Sequence, residues 1–394
     1  MVKRKTEILI CIFFLASWVA GELPKLFWPW TVTLLDVSAL LILTHIVIAN
    51  LPAGKAGSPD LTKGRRGNPA MKFVNRIFLI LFASWVFSLR LLSLSQAFPG
   101  FLYLSKAFVF ALLIVNASLL LKHVKMLIPT ALWTFVILGL FQYFLIPDTR
   151  FLLRYGWDEH YYRLIATVLD PHYAGAIFGM ILLFAFGQFS RKQSNKLVVL
   201  GAMSLIGLAL TFSRASWLAS GVSLLFYLTA KGPSLLARTV LHKMEVIVCV
   251  IFLSILLLAP KPGGEGVNLL RTNSISQRVE SWRQGLAVWR EHLFFGVGFN
   301  NYRVANEKDQ ILLAWKNDHA GNSPDSSWVL LLATTGGIGS VGVIWEIRKI
   351  IPDLRKRQFL FSLLLLVGIH SLFNNTLFYP PVLGLLALMA ASSL

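Results

Sequence analysis

The sequence predicts an all-α, polytopic helical membrane protein with about twelve transmembrane helices, and three observations support this fold class. Of the 394 residues, 56% are hydrophobic and only 14% are charged, whereas soluble domains carry about 25% charged residues. Apolar runs of about 15–22 residues recur along the whole length, which suits helices that cross a bilayer. The runs do not alternate with a period of two, so an outer-membrane barrel is not indicated.

The predicted spans leave no room for a separate soluble domain, so residues 1–394 are interpreted as one integral membrane domain. The first run follows Met1–Lys5 in the manner of a signal peptide. It is nevertheless assigned as a span, because the bulky Trp18 precedes the best cleavage point. The spans are expected at residues 7–22, 31–51, 74–94, 102–121, 126–146, 172–189, 197–213, 215–230, 245–260, 328–346, 359–377 and 380–394.

The basic residues orient the chain in the membrane. The formal net charge is +19, and more than half of the Lys and Arg residues fall in loops on one side of the predicted spans. The positive-inside bias assigns these loops, and the N-terminus with them, to the cytoplasm. The basic clusters therefore indicate orientation and contact with anionic membrane lipids, and not nucleic-acid binding.

One long polar segment, residues 261–327, interrupts the apolar pattern between the ninth and tenth predicted spans. The orientation places it on the outer face, together with the loop 148–163 and the turn 211–217. Folding in a membrane does not require such a segment. Its arginines favour a site for a lipid-anchored anion, because one guanidinium group can donate two hydrogen bonds to the oxygens of a phosphate. The arginines of this segment are Arg271, Arg278, Arg283, Arg290 and Arg303.

A helix is predicted to begin near residue 275, because Ser274–Gln277 fits a capping box. Arg278 would then lie in the first helical turn, where free N–H groups also attract anions. Arg283 and Arg290 share another face and are interpreted as solvated or headgroup-contacting charges. An apolar stripe at helical spacing is expected on the membrane surface or the bundle; its members are Val279, Trp282, Leu286, Trp289 and Leu293.

Three further polar features lie near the predicted outer face. Arg214 stands alone between two apolar runs, either as a snorkelling arginine or as a functional cation facing the bundle interior. His319 precedes the tenth span, either as a solvated loop residue or as a base near neutral pH. His370, Asn374 and Asn375 form a polar patch near the end of the eleventh span, lining the same cavity or satisfying each other.

The sequence gives little support for metal or cofactor chemistry. No His-x-x-x-His pair or Cys pair occurs on the predicted outer face, and residues 158–160 (Asp-Glu-His) are the one possible cluster there. No Walker loop and no Gly-x-Ser-x-Gly elbow is present, so ATP hydrolysis and serine hydrolase chemistry are not indicated. Arginine is the natural substitute for a metal in neutralising phosphate, and no cofactor is expected.

Four stretches of the chain resemble the bacterial O-antigen ligase and polymerase superfamily of polytopic membrane glycosyltransferases. They are LDPHYAGAIFGMIL at 169–182, TFSRASWLA at 211–219, SQRVESWRQGLAVWREHLFFGVGF at 276–299 and HAGNSPDSSWVLLLATTGGIGS at 319–340. Each motif alone is a weak signal. Their shared order around one large outer loop is more specific, and the likeness in span and loop placement covers nearly the whole chain.

The resemblance implies a metal-independent, inverting transfer of a glycan from undecaprenyl diphosphate to an acceptor hydroxyl. Arg214 and Arg278 match arginines that hold the diphosphate, and His319 matches a histidine that acts as the base or positions the acceptor. The family's His-Asn pair is here spread out as His-Ala-Gly-Asn, at 319–322. Further substrate-binding residues are expected at Arg283, Arg163, His172, Asn322 and Asn375.

The resemblance also implies a location in the bacterial inner (cytoplasmic) membrane with the active site on the periplasmic face. The acceptor would be lipid A core, another glycan or a protein. Polymerases of this superfamily often carry two outer loops with an arginine at fixed spacing before a glycine. That pattern is absent from the two outer loops here, which favours a ligase over a polymerase.

Two other classes of protein remain as alternatives. A transporter or flippase for a lipid-linked sugar would carry charged residues in mid-span and related halves, and this chain shows few of the former and no repeat. A structural membrane scaffold would account for the spans but not for Arg214 or the arginine-rich loop.

Overall fold

The computed structural model describes residues 2–27, 32–49, 69–120, 125–189, 193–230, 252, 257–258, 260, 266–268, 271–303 and 323–392. Short 3₁₀ turns and loops connect the α-helices of this part of the chain. In order, the helices are α1 (Val2–Ala20), α2 (Leu34–Ala49), α3 (Pro69–Ser88), α4 (Leu94–Leu120), α5 (Ile128–Leu145), α6 (Pro171–Phe189), α7 (Asn195–Leu210), α8 (Arg214–Ala230), α9 (Asn273–Glu291), α10 (Ser327–Lys356), α11 (Gln358–His370) and α12 (Pro380–Ser392).

The described helices support a helical membrane protein. Five of them, α3, α4, α5, α6 and α10, are long and apolar enough to cross a membrane, and α1, α2, α7, α11 and α12 contain shorter apolar stretches. The described residues therefore do not support the predicted count of about twelve spans. Most of the predicted ninth span, residues 245–260, lies outside the described residues.

Helix α6 forms the centre of the bundle and is surrounded by α7, α8 and α11. Most of its residues are buried, including consecutive positions from Ala174 to Ala185. Its contact with α8 depends on small residues one helical turn apart: Gly175 faces Ser216, and Gly179 faces Ser220. Glycine and serine at this spacing let two helices approach closely, which is the usual basis of helix association in a membrane.

Helix α10 is broken within the predicted tenth span, at Gly336, whose φ of 65° and ψ of −172° are not helical. Residues 293–298 cross the break and exchange backbone hydrogen bonds of 2.7–3.2 Å with residues 333–338. A side chain on Gly296 or Gly336 would collide with the backbone of the other segment. The two glycine-containing motifs of the sequence are therefore partners, and the crossing joins the segment after α9 to α10.

Candidate active site

A cavity of about 1390 Å³ lies where the loops of the predicted outer face meet the ends of several helices. Its walls come from the loop 155–158, the start of α6, the first half of α9 and the loops before α10 and α12. Small-molecule sites usually have volumes of about 300–1,000 Å³. This cavity is larger, which suits an extended ligand such as an oligosaccharide.

The cavity brings together several of the residues predicted to bind substrate. Arg278, Arg283, His172 and Asn375 line it. Arg214 and Arg163 are not among its lining residues; Arg214 begins α8, and the side chain of Arg163 contacts the turn between α7 and α8. His319 and Asn322 lie outside the described residues.

The start of α9 differs from the prediction. The helix begins at Asn273 after Thr272, and no side chain caps it. The predicted capping box is wrong because Ser274 is engaged elsewhere: its Oγ accepts a hydrogen bond of 2.8 Å from Nη2 of Arg214. With the helix starting two residues earlier, Arg278 lies in the second turn, and so the predicted first-turn placement is also wrong.

The buried face of α9 is formed by Ser281, Gly285 and Val288. Three- and four-residue spacing puts Arg278 on this same face. Val279 and Leu293, at the two ends of the predicted apolar stripe, are 39% and 46% exposed. This packed face runs through Gly285, which lies close to Val329 and Pro324. The predicted apolar stripe lies beside it, and its place on the membrane surface or the bundle stays a prediction.

Arg278 is half-buried in the cavity wall. Burial lowers the pKa of its guanidinium, and nearby Asp325 opposes that change. Among the described residues, Arg278 makes neither a hydrogen bond nor an ion pair within 4.0 Å. Charge-assisted bonds to phosphate or carboxylate are among the strongest a guanidinium makes, so this group is available to an anionic ligand.

Arg283 occupies a different environment on the rim of the cavity. Its side chain is 75% exposed and lies 3.8 Å from a carboxylate oxygen of Glu280. Arg290 is also exposed. Both observations agree with the interpretation of these two arginines as solvated charges.

The turn between α7 and α8 is held by two buried arginines. Nε of Arg163 donates to the carbonyl of Thr211 at 3.0 Å, and Nη2 of Arg271 donates to the carbonyl of Phe212 at 2.9 Å. These carbonyls follow the C-terminal end of α7, where cations are favourable. The backbone at Phe212 is left-handed, with φ of 51°, and its conformation is fixed by these contacts.

Arg214 follows directly from this turn as the first residue of α8. Its Nη2 donates to the carbonyl of Arg271 at 3.0 Å and to Oγ of Ser274 at 2.8 Å. Arg214 therefore joins the turn to the start of α9 and lies close enough to lower the pKa of Arg278. Burial, and after it the positive charge of Arg271, lower the pKa of Arg163 to about 9.

A chain of hydrogen bonds leads from the cavity into the bundle. Nδ1 of His172 lies 3.0 Å from Oγ of Ser213, which lies 2.8 Å from Oγ of Ser216. Ser216 Oγ lies 3.0 Å from Nε2 of His370, whose Nδ1 lies 2.7 Å from Oγ1 of Thr376. The predicted eleventh span, residues 359–377, ends at His370 because the chain turns here to complete this network.

Sequence reasoning did not single out two carboxylates that line the cavity, Asp170 and Asp325. Oδ1 of Asp170 accepts from the backbone N–H of His172 at 2.6 Å and of Tyr173 at 3.0 Å, which caps α6. The Asp-Pro pair at 170–171 is a recognisable helix-start signal. Burial raises the pKa of Asp170 to about 6.

The described residues contain no group of three or more His, Cys, Asp or Glu side chains placed to hold a metal ion. His160, a member of the possible metal-binding cluster at residues 158–160, has a structural role in the 148–163 loop. Its carbonyl accepts the N–H of Thr149 at 2.9 Å and the hydroxyl of Thr149 at 3.0 Å. Burial lowers the pKa of its ring to about 3.

The fold and the cavity define an integral membrane protein with an arginine-lined polar site at the helix ends. Residues 197–344, from α7 into α10, match the family model Wzy_C, described as O-antigen ligase. The match supports membership of the O-antigen ligase and polymerase superfamily and confirms the resemblance predicted from the sequence. This family implies glycosyltransferase-type activity in general. No curated protein matches the chain.

Proposed function

We propose that the protein transfers a glycan from undecaprenyl diphosphate to an acceptor hydroxyl, with inversion at the anomeric carbon and without a metal ion. The family supports a lipid-linked glycan and a glycan acceptor as partners in general. The specific donor, the stereochemistry and the lack of a metal requirement belong to the proposal.

The observation that carries this proposal is the open guanidinium of Arg278 in a cavity large enough for an oligosaccharide. A half-buried cation without a partner among the described residues is costly unless a ligand compensates for it. A diphosphate is such a ligand, and the start of α9 around Ser274 lines the same wall. Free N–H groups at a helix start add to the attraction for phosphate.

The proposed chemistry follows from where charge develops. As the bond between the anomeric carbon and the phosphate oxygen breaks, the lipid diphosphate gains negative charge. Arg278, with Arg214 beside it, would stabilise that charge; one preorganised donor contributes about 2.7–4 kcal/mol in a comparable setting. His319 is proposed to position the acceptor hydroxyl or to take its proton.

The remaining predicted ligands divide into two groups. Arg283, His172 and Asn375 line the cavity and are proposed, with Asn322, to contact the glycan or its diphosphate. Arg163 is proposed to act indirectly, since its side chain holds the turn that carries Arg214.

The membrane arrangement is part of the proposal. We infer about twelve spans with the N-terminus in the cytoplasm of a bacterial cell, in the inner membrane. Residues 261–327 then form one large periplasmic loop between the ninth and tenth spans, and the cavity opens on that face. A donor made of a lipid and a glycan would reach it with its tail in the bilayer.

A ligase is favoured over a polymerase of the same superfamily, because the arginine–glycine spacing of the polymerases is absent from the predicted outer loops. The two differ in acceptor, which is lipid A core, another glycan or a protein for a ligase and the growing donor glycan for a polymerase. A flippase for the lipid-linked sugar would move the donor without breaking it.

Glycan transfer by the purified protein in lipid tests the proposal. Undecaprenyl-diphosphate oligosaccharide is the donor, EDTA is present or absent, and the acceptors are lipid A core and the donor itself. EDTA-resistant transfer that is lost in Arg278→Ala would support the transferase. Transfer to lipid A core indicates a ligase, and elongation of the donor indicates a polymerase. Movement of the intact donor across the bilayer without transfer would support the flippase instead.

A further inference from the structure

The proposed transfer requires a group that takes the proton of the acceptor hydroxyl, and the inference below rests on that proposed function. Three carboxylates of the loops and helix starts, Asp158, Asp170 and Asp325, line the cavity, and Glu280 of α9 does so as well. Asp158 and Glu280 are exposed. Water competes with a ligand for an exposed carboxylate, which leaves Asp170 and Asp325 for closer comparison.

Asp170 has a structural task that accounts for its burial. One of its carboxylate oxygens accepts two backbone N–H groups at the start of α6. Such a cap stabilises a helix by about 1 kcal/mol. Its carboxylate is therefore engaged in holding α6.

Asp325 is fixed through its backbone. Its N–H donates to Oγ of Ser281 at 2.9 Å, and its carbonyl accepts from Nε1 of Trp282 at 3.5 Å. The next residue, Ser326, caps α10 and donates from Oγ to the carbonyl of Ser371 at 3.2 Å. These contacts hold Asp325 between α9 and the loop after α11 without using its side chain.

The carboxylate of Asp325 remains open toward the cavity. It makes no hydrogen bond within the described part of the chain. Asp325 and Arg278 attract each other, and Ser281, which holds Asp325, lies three residues after Arg278 on one face of α9. No direct ion pair within 4.0 Å joins them, and both residues line the cavity.

The geometry points to Asp325 as the base that activates the acceptor hydroxyl. One carboxylate oxygen accepts the hydroxyl proton while the acceptor oxygen forms a bond to the anomeric carbon. The bond from that carbon to the phosphate oxygen breaks, and its electron pair leaves with the lipid diphosphate at Arg278. The products are the new glycoside, a protonated Asp325 and the free lipid diphosphate; the proton then passes to solvent.

The charge environment of Asp325 supports this role. Burial raises the pKa of its carboxyl, Arg278 lowers it, and Asp158 raises it. A base is most effective when its pKa approaches the working pH. The other charged groups lining the cavity are Lys25, Asp170, Glu280 and Arg283, and the titratable ring of His172 lines it as well.

Asp325→Asn tests the inference, because it removes the base and keeps every hydrogen bond described for Asp325, all of which are made by its backbone. We expect the rate of transfer at saturating donor to fall by about 10²–10⁴-fold, with binding of the donor retained. The loss of rate at low pH should be smaller in the residual activity than in the wild type, because Asp325 no longer contributes to it. Asp325→Ala should regain activity with added formate, a small carboxylate that the cavity admits.

Asp148→Asn is the matched control, since this acid lies on the same face outside the cavity lining and pairs with Arg150 at 2.6 Å. Its transfer rate should equal that of the wild type. A normal rate in Asp325→Asn, loss of donor binding in that variant, or failure of formate to restore Asp325→Ala would each overturn the inference while the transferase function stood. Absence of transfer in the wild-type protein would instead reject the proposed function, and the inference with it.

Discussion

The cavity wall and the turn between α7 and α8 both depend on arginines, but the two regions use them in different ways. In the turn, Arg163 and Arg271 donate to backbone carbonyls at 2.9–3.0 Å. In the wall, Arg278 has no such partner among the described residues. An arginine here is structural where backbone carbonyls lie within hydrogen-bonding distance of it, and available to a ligand where none does. Variants of the two regions should therefore fail in different ways, in stability for the turn and in activity for the wall.

Among the arginine variants, the largest loss of activity is expected for Arg278→Ala. Removing one donor to a developing oxyanion lowers rates by about 10²–10³-fold, and transfer should fall at least this far. Because Arg278 makes no described contact that holds the fold, expression and membrane insertion should be unchanged. Transfer assays and the unfolding temperature in detergent check both halves. Normal turnover would exclude Arg278 from the site.

Arg214→Ala should combine the two kinds of failure. We expect transfer to fall strongly, though no further than in Arg278→Ala, because the charge beside Arg278 is lost. The protein should also become somewhat less stable, because Arg214 joins the carbonyl of Arg271 to Ser274. Ser274→Ala is the companion variant: it removes one of these bonds and keeps the charge, so its transfer rate should stay well above that of Arg214→Ala. Equal loss in both would mean that the bond, and not the charge, is needed.

Arg163→Met should mainly lower stability. The buried carbonyl of Thr211 would lose its hydrogen-bond donor, which lowers the free energy of unfolding by about 1–3 kcal/mol. Measured as a lower unfolding temperature in detergent, this change should exceed that of Arg154→Met, since Arg154 is exposed on the same loop. A stable but inactive Arg163→Met would return Arg163 to the substrate-binding residues.

The smallest effect is expected for Arg283→Ala. Its side chain is 75% exposed and lies near Glu280, so solvent already screens its charge. Transfer should decline only modestly, and mainly through weaker donor binding. If Arg283→Ala were as inactive as Arg278→Ala under the same assay, the assignment of faces on α9 would have to be reversed.

The parts of the fold that the sequence predicted are those that local pattern determines. Helices α5 to α8 begin within about two residues of the starts of the predicted spans, because each helix coincides with one continuous apolar run. The family motifs assigned Arg278 to the diphosphate, which stays a prediction, and the structure places this arginine in the cavity wall. His319 and Asn322 stay predictions, since they lie outside the described residues.

The parts that the sequence did not predict depend on distant residues. Ser274 reads locally as a cap, yet its hydroxyl is engaged by Arg214, 60 positions away. Gly285 weakens a helix by its local propensity, yet it lies on the packed face of α9 because it meets Val329 of α10. Asp325 stands in a serine-rich loop, and no local signal separates it from a solvated acid. Long-range packing outweighs local pattern at each of these places.

The break in α10 has a consequence for how the protein is made. Backbone groups freed at Gly336 cannot be satisfied by lipid, and each would cost several kcal/mol there. Residues 293–298, which satisfy them, are synthesised before α10. Residues 293–298 are therefore already present when the ribosome adds the second half of α10. Membrane insertion of α10 should therefore depend on residues 293–298 of the same polypeptide. A fusion of α10 alone to a reporter should insert poorly.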